Sequence, residues 1–306
     1  MHCKFLVLVA LIALAGLALS GSTGLQAFVE DPQGTIRAEV ALVNIVFTVT
    51  NRNGVPVSGL KAKDFQVLED KLPQTIDYFS ELGKETDVPL TIALLIDTSA
   101  SVKDKLDFEK TTAAEFFTDV LRPKKDLALI IQFDSDVNLV QDFTQDKNVL
   151  VKALNSLQAG NNTSLYDAIY LAAEDKLKKE IGRKVMVVIS DGEDMKSKLG
   201  KEDAIEAAQR NNVVIYGIGV QTEGTNFGVL KSFAKETGGA FFSPRAALGE
   251  IKYAFQSIGK ELQGQYSLAY ISTNKKKDGS YRTIDLRCKT GDVRIRARKG
   301  YYAPRS

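Results

Sequence analysis

The chain reads as an α/β protein: a doubly wound, Rossmann-like, mainly parallel sheet inserted into a small, discontinuous β-sandwich-like domain. Three observations predict this. From about residue 89 to 263, apolar runs of five to eight residues alternate with longer amphipathic stretches. Those runs are apolar throughout, as strands covered by helices on both faces must be. The flanking segments instead alternate apolar and polar residues, the pattern of strands with one wet face.

Taken in order, PLTIALLI (89–96) is the first buried strand. Residues 104–121 place Leu106, Phe108, Ala113, Phe116, Phe117, Val120 and Leu121 on one broad helical face. DLALIIQF and DVNLVQDF follow as strands, and the FDSD between them predicts a hairpin in which Asp134 and Asp136 form the turn. Helices are expected over 146–157 and 164–179, then the buried strand KVMVVIS, a helix over 201–211, the strand VVIYGIGV, and helices over 226–237 and 248–263.

In the flanks, VALVNIVFTVT, DFQVLED and QTIDYFS precede the α/β region, and QYSLAYIST, YRTIDLRC and DVRIRARKGYY follow it. Neither side has enough strands for a stable sandwich, whereas together they supply about six. The expected division is therefore a β domain made of 28–87 and 264–306, interrupted by an α/β domain over 88–263. Arg294, Arg296 and Arg298 alternate along the last run. They read as charge that discourages edge-to-edge pairing, with contact to an anionic envelope surface as the functional alternative.

Composition narrows the chemistry. Of 306 residues, 44% are hydrophobic and 25% charged, which allows a sizeable core, and a formal net charge of +2 gives no footprint for nucleic acid. The opening MHCKFLVLVALIALAGLALSGSTGLQA has one lysine, a 15-residue apolar block from Phe5 to Leu19, and then small and polar residues. It reads as a signal peptide over 1–27, cut after Ala27, that exports the protein to periplasm or medium and leaves no membrane span. The alternative is an uncleaved N-terminal anchor, for which the apolar block is short. The mature chain then keeps one cysteine, Cys288, and no histidine, since the only one is His2. This excludes an internal disulfide, Cys/His zinc sites and histidine-dependent nucleophiles. Cys288 falls on the same strand face as Ile284 and Leu286 and reads as a small core residue.

In open α/β sheets, ligands sit beyond the carboxyl ends of the strands. There the first strand ends in Asp97, followed by Ser99 and Ser101; GNNTSLYDA brings Thr163 and ISDGED brings Asp191. Mg²⁺ takes about six hard oxygens and usually keeps some waters. Five such side chains with only two negative charges leave a place free for an outside anionic oxygen, most simply an Asp or Glu of a protein partner. Taken alone, DTSAS reads better as a helix cap; the two further loops, with Thr163 and Asp191, turn the reading to a metal.

These residues resemble the von Willebrand factor A family, whose metal-ion-dependent adhesion site has the pattern DxSxS, then a Thr, then an Asp in a DG turn. Here the pattern is met by Asp97-Thr98-Ser99-Ala100-Ser101, Thr163 and Asp191-Gly192. The resemblance spans about residues 88–262 and implies Mg²⁺ or Mn²⁺ held for ligand recognition, with no catalysis. Two departures are Ser190, where many members have Thr, and GNNT in place of the commoner GGT. An enzyme is the second class, a phosphoryl-transfer hydrolase with Asp97 as nucleophile; it lacks an acid at position 99, which is Ser, and any histidine. A purely structural module without metal is the third.

Overall fold

The computed structural model describes residues 42–83, 87–222, 225–243, 248–289 and 291–305. The expected export segment lies outside them. The chain divides into units Met1–Glu39 and Val40–Ser306, and all that follows concerns the second.

The strands are β1 (Leu42–Thr50), β2 (Phe65–Glu69), β3 (Leu72–Gln74), β4 (Tyr78–Leu82), β5 (Leu90–Asp97), β6 (Leu127–Phe133), β7 (Val137–Thr144), β8 (Arg183–Ser190), β9 (Val213–Gly219), β10 (Phe241–Phe242), β11 (Gln265–Ile271), β12 (Tyr281–Cys288), β13 (Arg294–Ala297) and β14 (Gly300–Tyr302). The helices are α1 (Leu106–Val120), α2 (Lys147–Asn155), α3 (Leu165–Leu171), α4 (Lys201–Arg210), α5 (Gly228–Thr237) and α6 (Leu248–Gln263).

The central sheet runs β10-β9-β8-β5-β6-β7, parallel except for β7. Every residue of β5 and of β9 is buried, which is why those runs carry no polar alternation. Leu90, Ile92, Leu94 and Ile96 face a core with α1, α2 and α6, while Ala93 and Leu95 face a second core with α3, α4 and α5. The sheet is thus wrapped on both sides, as the sequence predicts.

Two four-stranded antiparallel sheets complete the unit, β13-β1-β11-β4 and β14-β12-β2-β3. Each takes two strands from before the α/β region and two from after it. One core joins them, with Ile45, Phe47 and Val49 of the first sheet against Phe65, Val67 and Ile284 of the second. Four findings differ from the sequence expectation. Strand β3 was not foreseen, because a three-residue run containing Pro73 carries little pattern and is tolerated only at an edge. The run expected as one strand over 292–302 splits into β13 and β14 because the chain changes sheets there.

The helix expected over 164–179 leaves α geometry after Leu171 and continues as a π turn, Ala172–Lys176. Winding at i to i+5 sets Ala172 and Leu177, both fully buried, on one side. Finally, the late arginines do not share one solvated role: Arg294 is exposed, Arg296 approaches buried Glu261 at 2.5 Å, and Arg298 is buried.

Candidate metal centre

Strands β5 and β8 are neighbours, yet the chain leaves them in opposite directions, β5 toward β6 and β8 toward β9. Such a switch point opens a crevice at the carboxyl ends. Asp97 is the last residue of β5 and Ser190 the last of β8, both fully buried. Ser190 donates its hydroxyl to Asp97 Oδ2 at 2.6 Å, and the Ser99 amide donates to Asp97 Oδ1 at 2.9 Å. Burial pushes the Asp97 carboxyl up to about 6, with hydrogen bonds from Ser190 and Ser99 opposing the shift and the Asp191 charge adding to it.

Hydroxyls join the two carboxylates. Ser99 Oγ lies 3.1 Å from Ser101 Oγ, and Ser101 donates to Asp191 Oδ2 at 2.7 Å. Asp191 Oδ1 accepts from the Glu193 amide at 3.1 Å, and the Gly192 amide donates to Ser190 Oγ at 3.0 Å. Gly192 has φ +86°, and a Cβ there would meet the Asn226 carbonyl oxygen at 2.4 Å, so the turn after Asp191 requires glycine.

The Thr163 loop is pinned to both others through its backbone. The Gly160 amide donates to the Thr98 carbonyl at 2.6 Å and the Ala100 amide to the Asn161 carbonyl at 2.9 Å, while the Thr163 carbonyl accepts from Met195 and Lys196, each at 2.9 Å. Asn162 in the GNNT variation is seated by its amide and Nδ2 on Ser135 Oγ. Thr163 is 3% exposed, and its hydroxyl has no hydrogen-bond partner among the described residues. Oxygen side chains from these loops, two of them carboxylates, suit a hard cation. Among the described residues no group of three or more His, Cys, Asp and Glu is placed to hold a metal, so beyond the two carboxylates any ion here relies on hydroxyls and water.

Nearby acids are committed elsewhere. Asp194 accepts from the Tyr166 amide and Ser197 hydroxyl, and Asp167 from the Lys198 and Leu199 amides, which fastens the loop after β8 onto the start of α3. Asp136 and Asp134 bond each other across the β6–β7 turn, as expected of turn formers.

Two residues escaped the sequence reading. Thr222, beyond the end of β9, donates to Asp191 Oδ2 at 3.1 Å; its only sequence signal is a hydroxyl just past a third strand of the same edge. Glu109 stands in the first turn of α1, fully buried, with neither carboxyl oxygen hydrogen-bonded among the described residues. The signal was present: Glu109 is three residues after Leu106 and four before Ala113, inside the apolar stripe. Burial, then the Asp97 charge, push its carboxyl up to about 8, and Lys105 opposes them.

A folded-state value above the unfolded 4.5 means that the contribution of Glu109 to stability is full below about 4.5 and is lost as pH rises through 8. In chelator, Glu109→Gln is therefore expected to flatten the stability profile across that window and to exceed wild type by about 1–3 kcal/mol at pH 9. Urea unfolding at stepped pH checks it; parallel profiles would contradict the assignment.

Comparison with known proteins agrees with this architecture. The von Willebrand factor type A domain matches residues 91–254. An uncharacterised protein of Borreliella burgdorferi is 27% identical over 139 residues, 42% of this chain and 40% of that protein, so the match spans well under half of the curated relative. Among solved structures, proximal thread matrix protein 1 from the mussel byssus, with a zinc-occupied MIDAS motif, is similar at TM-score 0.52 and 17% identity, over 64% of this chain and 50% of that one. BatB from Bacteroides thetaiotaomicron is similar at TM-score 0.47 and 19% identity, over 56% of this chain and 98% of that one. With more than half of its length matched by the family and the same α/β sheet in its structure, the chain belongs to the von Willebrand factor type A domain family.

Proposed function

We propose that this protein is an extracytoplasmic, metal-dependent protein-binding module, an adhesion or scaffold element, whose cation is held by Asp97, Ser99, Ser101, Thr163 and Asp191. Domains of this family serve in general as interaction modules and not as enzymes. The observation that carries the reading is the run of oxygens Asp97, Ser99, Ser101 and Asp191 at the switch point, linked at 2.7–3.1 Å from Ser99 to Asp191. The zinc-occupied motif of the mussel protein supports a divalent ion here too.

When bound, Mg²⁺ or Mn²⁺ would supply an electropositive position open to a carboxylate oxygen from an Asp or Glu of a protein partner. The chain's own residues do the rest. Ser190 and the Ser99 amide orient the Asp97 carboxylate, Ser101 and Thr222 orient Asp191, and Gly192 keeps the turn tight. In this reading residues 1–27 direct export to periplasm or medium, the α/β domain spans 88–263, and the β domain combines 28–87 with 264–306. Among the described residues no helix is long and apolar enough to cross a membrane.

Calorimetric titration of chelator-stripped protein tests the reading. Wild type is expected to take up one Mn²⁺ or Mg²⁺ per chain and Asp97→Ala none. Equal uptake by both would overturn it.

A further inference from the structure

At the opposite edge of the central sheet lies a cavity of about 180 Å³, lined by the starts of β8 and β9 and by β1 and β11. Its walls carry Arg183, Lys184 and Arg298 against one acid, Glu180. Arg183 is 5% exposed and Arg298 8%. Neither guanidinium has a carboxylate within ion-pair distance among the described residues. The acid that acts on Arg183, Asp126, is already taken by Arg122, whose Nε and Nη2 it receives at 2.9 and 2.7 Å.

Buried charge is normally paired, because removing an ion from water costs several kcal/mol even after relaxation. Here the hydrogen bonds that exist are to neutral groups. Arg183 Nη1 donates to the Leu262 carbonyl and to Gln265 Oε1, and Arg298 donates to Asn212 Oδ1 and the Asn44 carbonyl. Nε of both arginines is buried without an acceptor among the described residues. Two guanidiniums with donors to spare and a half-buried lysine thus line one cavity, well above the roughly 30 Å³ of a single water.

We infer that this cavity binds a small oxyanion of the phosphate or sulfate class, whose oxygens complete the hydrogen bonding of Arg183 and Arg298 and offset the excess positive charge. The planar donor fork of arginine matches the paired oxygens of such an anion. Strand β8 starts at Arg183 and ends at Ser190, so roughly 20 Å of strand separates this cavity from the Asp97 loop. The inference therefore stands or falls independently of any metal.

The probe is inorganic phosphate, titrated in chelator at ionic strength held constant with sodium chloride. Equilibrium dialysis of labelled phosphate is expected to give one anion per wild-type chain, with a saturable rise in melting temperature that chloride does not produce. Arg183→Gln is expected to abolish both. Lys184→Gln, at a half-buried position where folding is not at risk, is expected to weaken binding by about tenfold. Sulfate in place of phosphate should compete for the same place. Absence of dialysable phosphate from the wild type, a rise in melting temperature matched by chloride, or unchanged uptake by Lys184→Gln would each overturn the inference. If Arg183→Gln fails to fold, the wild-type stoichiometry and the Lys184→Gln titration decide the matter.

Discussion

Glu69→Ala is expected to lose about 3–5 kcal/mol of unfolding free energy. Glu69 is 2% exposed in the core between the two antiparallel sheets, where its carboxylate accepts from Tyr270 at 2.9 Å, Tyr301 at 3.0 Å and Ser272 at 2.6 Å, with Arg282 at 3.4 Å. The acceptor comes from β2, before the α/β region, while all four donors come from β11, β12, β14 and the residue after β11, beyond it. This network therefore fastens the two flanks together across more than 200 residues of sequence. Truncation strands the Arg282 guanidinium, itself 3% exposed, and leaves two tyrosine hydroxyls without their acceptor.

Glu69→Gln, which keeps the shape and an acceptor but not the charge, should cost less. Replacing Glu69 and Arg282 together by methionine should cost less than the two single changes added, since no uncompensated charge remains. Guanidinium unfolding of the five variants reads this directly. A loss under about 1 kcal/mol in Glu69→Ala would show that the network adds nothing to the joining of the flanks.

That network also marks where the sequence stopped being legible. Periodicity exposes elements whose neighbours lie on the same face, so the buried runs of β5, β8 and β9 and the helices around them could be placed within a few residues. Motif spacing put Asp97 and Asp191 on strand ends of one sheet edge, because the end of an apolar run is visible in a one-dimensional string. Pairing across long separations is not visible there. Glu69 looks like any strand-end acid, Arg298 like one more edge charge, and Thr222 like a loop hydroxyl; only the fold brings each to its partner. Glu109 is the exception, a carboxylate inside an apolar stripe that helical spacing alone could have flagged.

Saturating Mg²⁺ is expected to raise wild-type stability by about 2.7 kcal/mol at a hundredfold excess over its dissociation constant, roughly 5–10 °C in melting temperature. The sharpest control is Thr163→Val. If the Thr163 hydroxyl served the fold, removing it would cost about 1 kcal/mol or more for the lost hydrogen bond. That hydroxyl has no partner among the described residues, so in chelator the variant should match wild type. With Mg²⁺ present, its shift should vanish or shrink severalfold, since the oxygen proposed as a ligand has been replaced by a methyl group. Ser101→Ala behaves differently: it should lose the Mg²⁺ shift and also some stability in chelator, because Ser101 donates to Asp191 at 2.7 Å. A Thr163→Val variant that is destabilised in chelator yet keeps the full Mg²⁺ shift would assign Thr163 to the fold and remove it from the proposed ligand set.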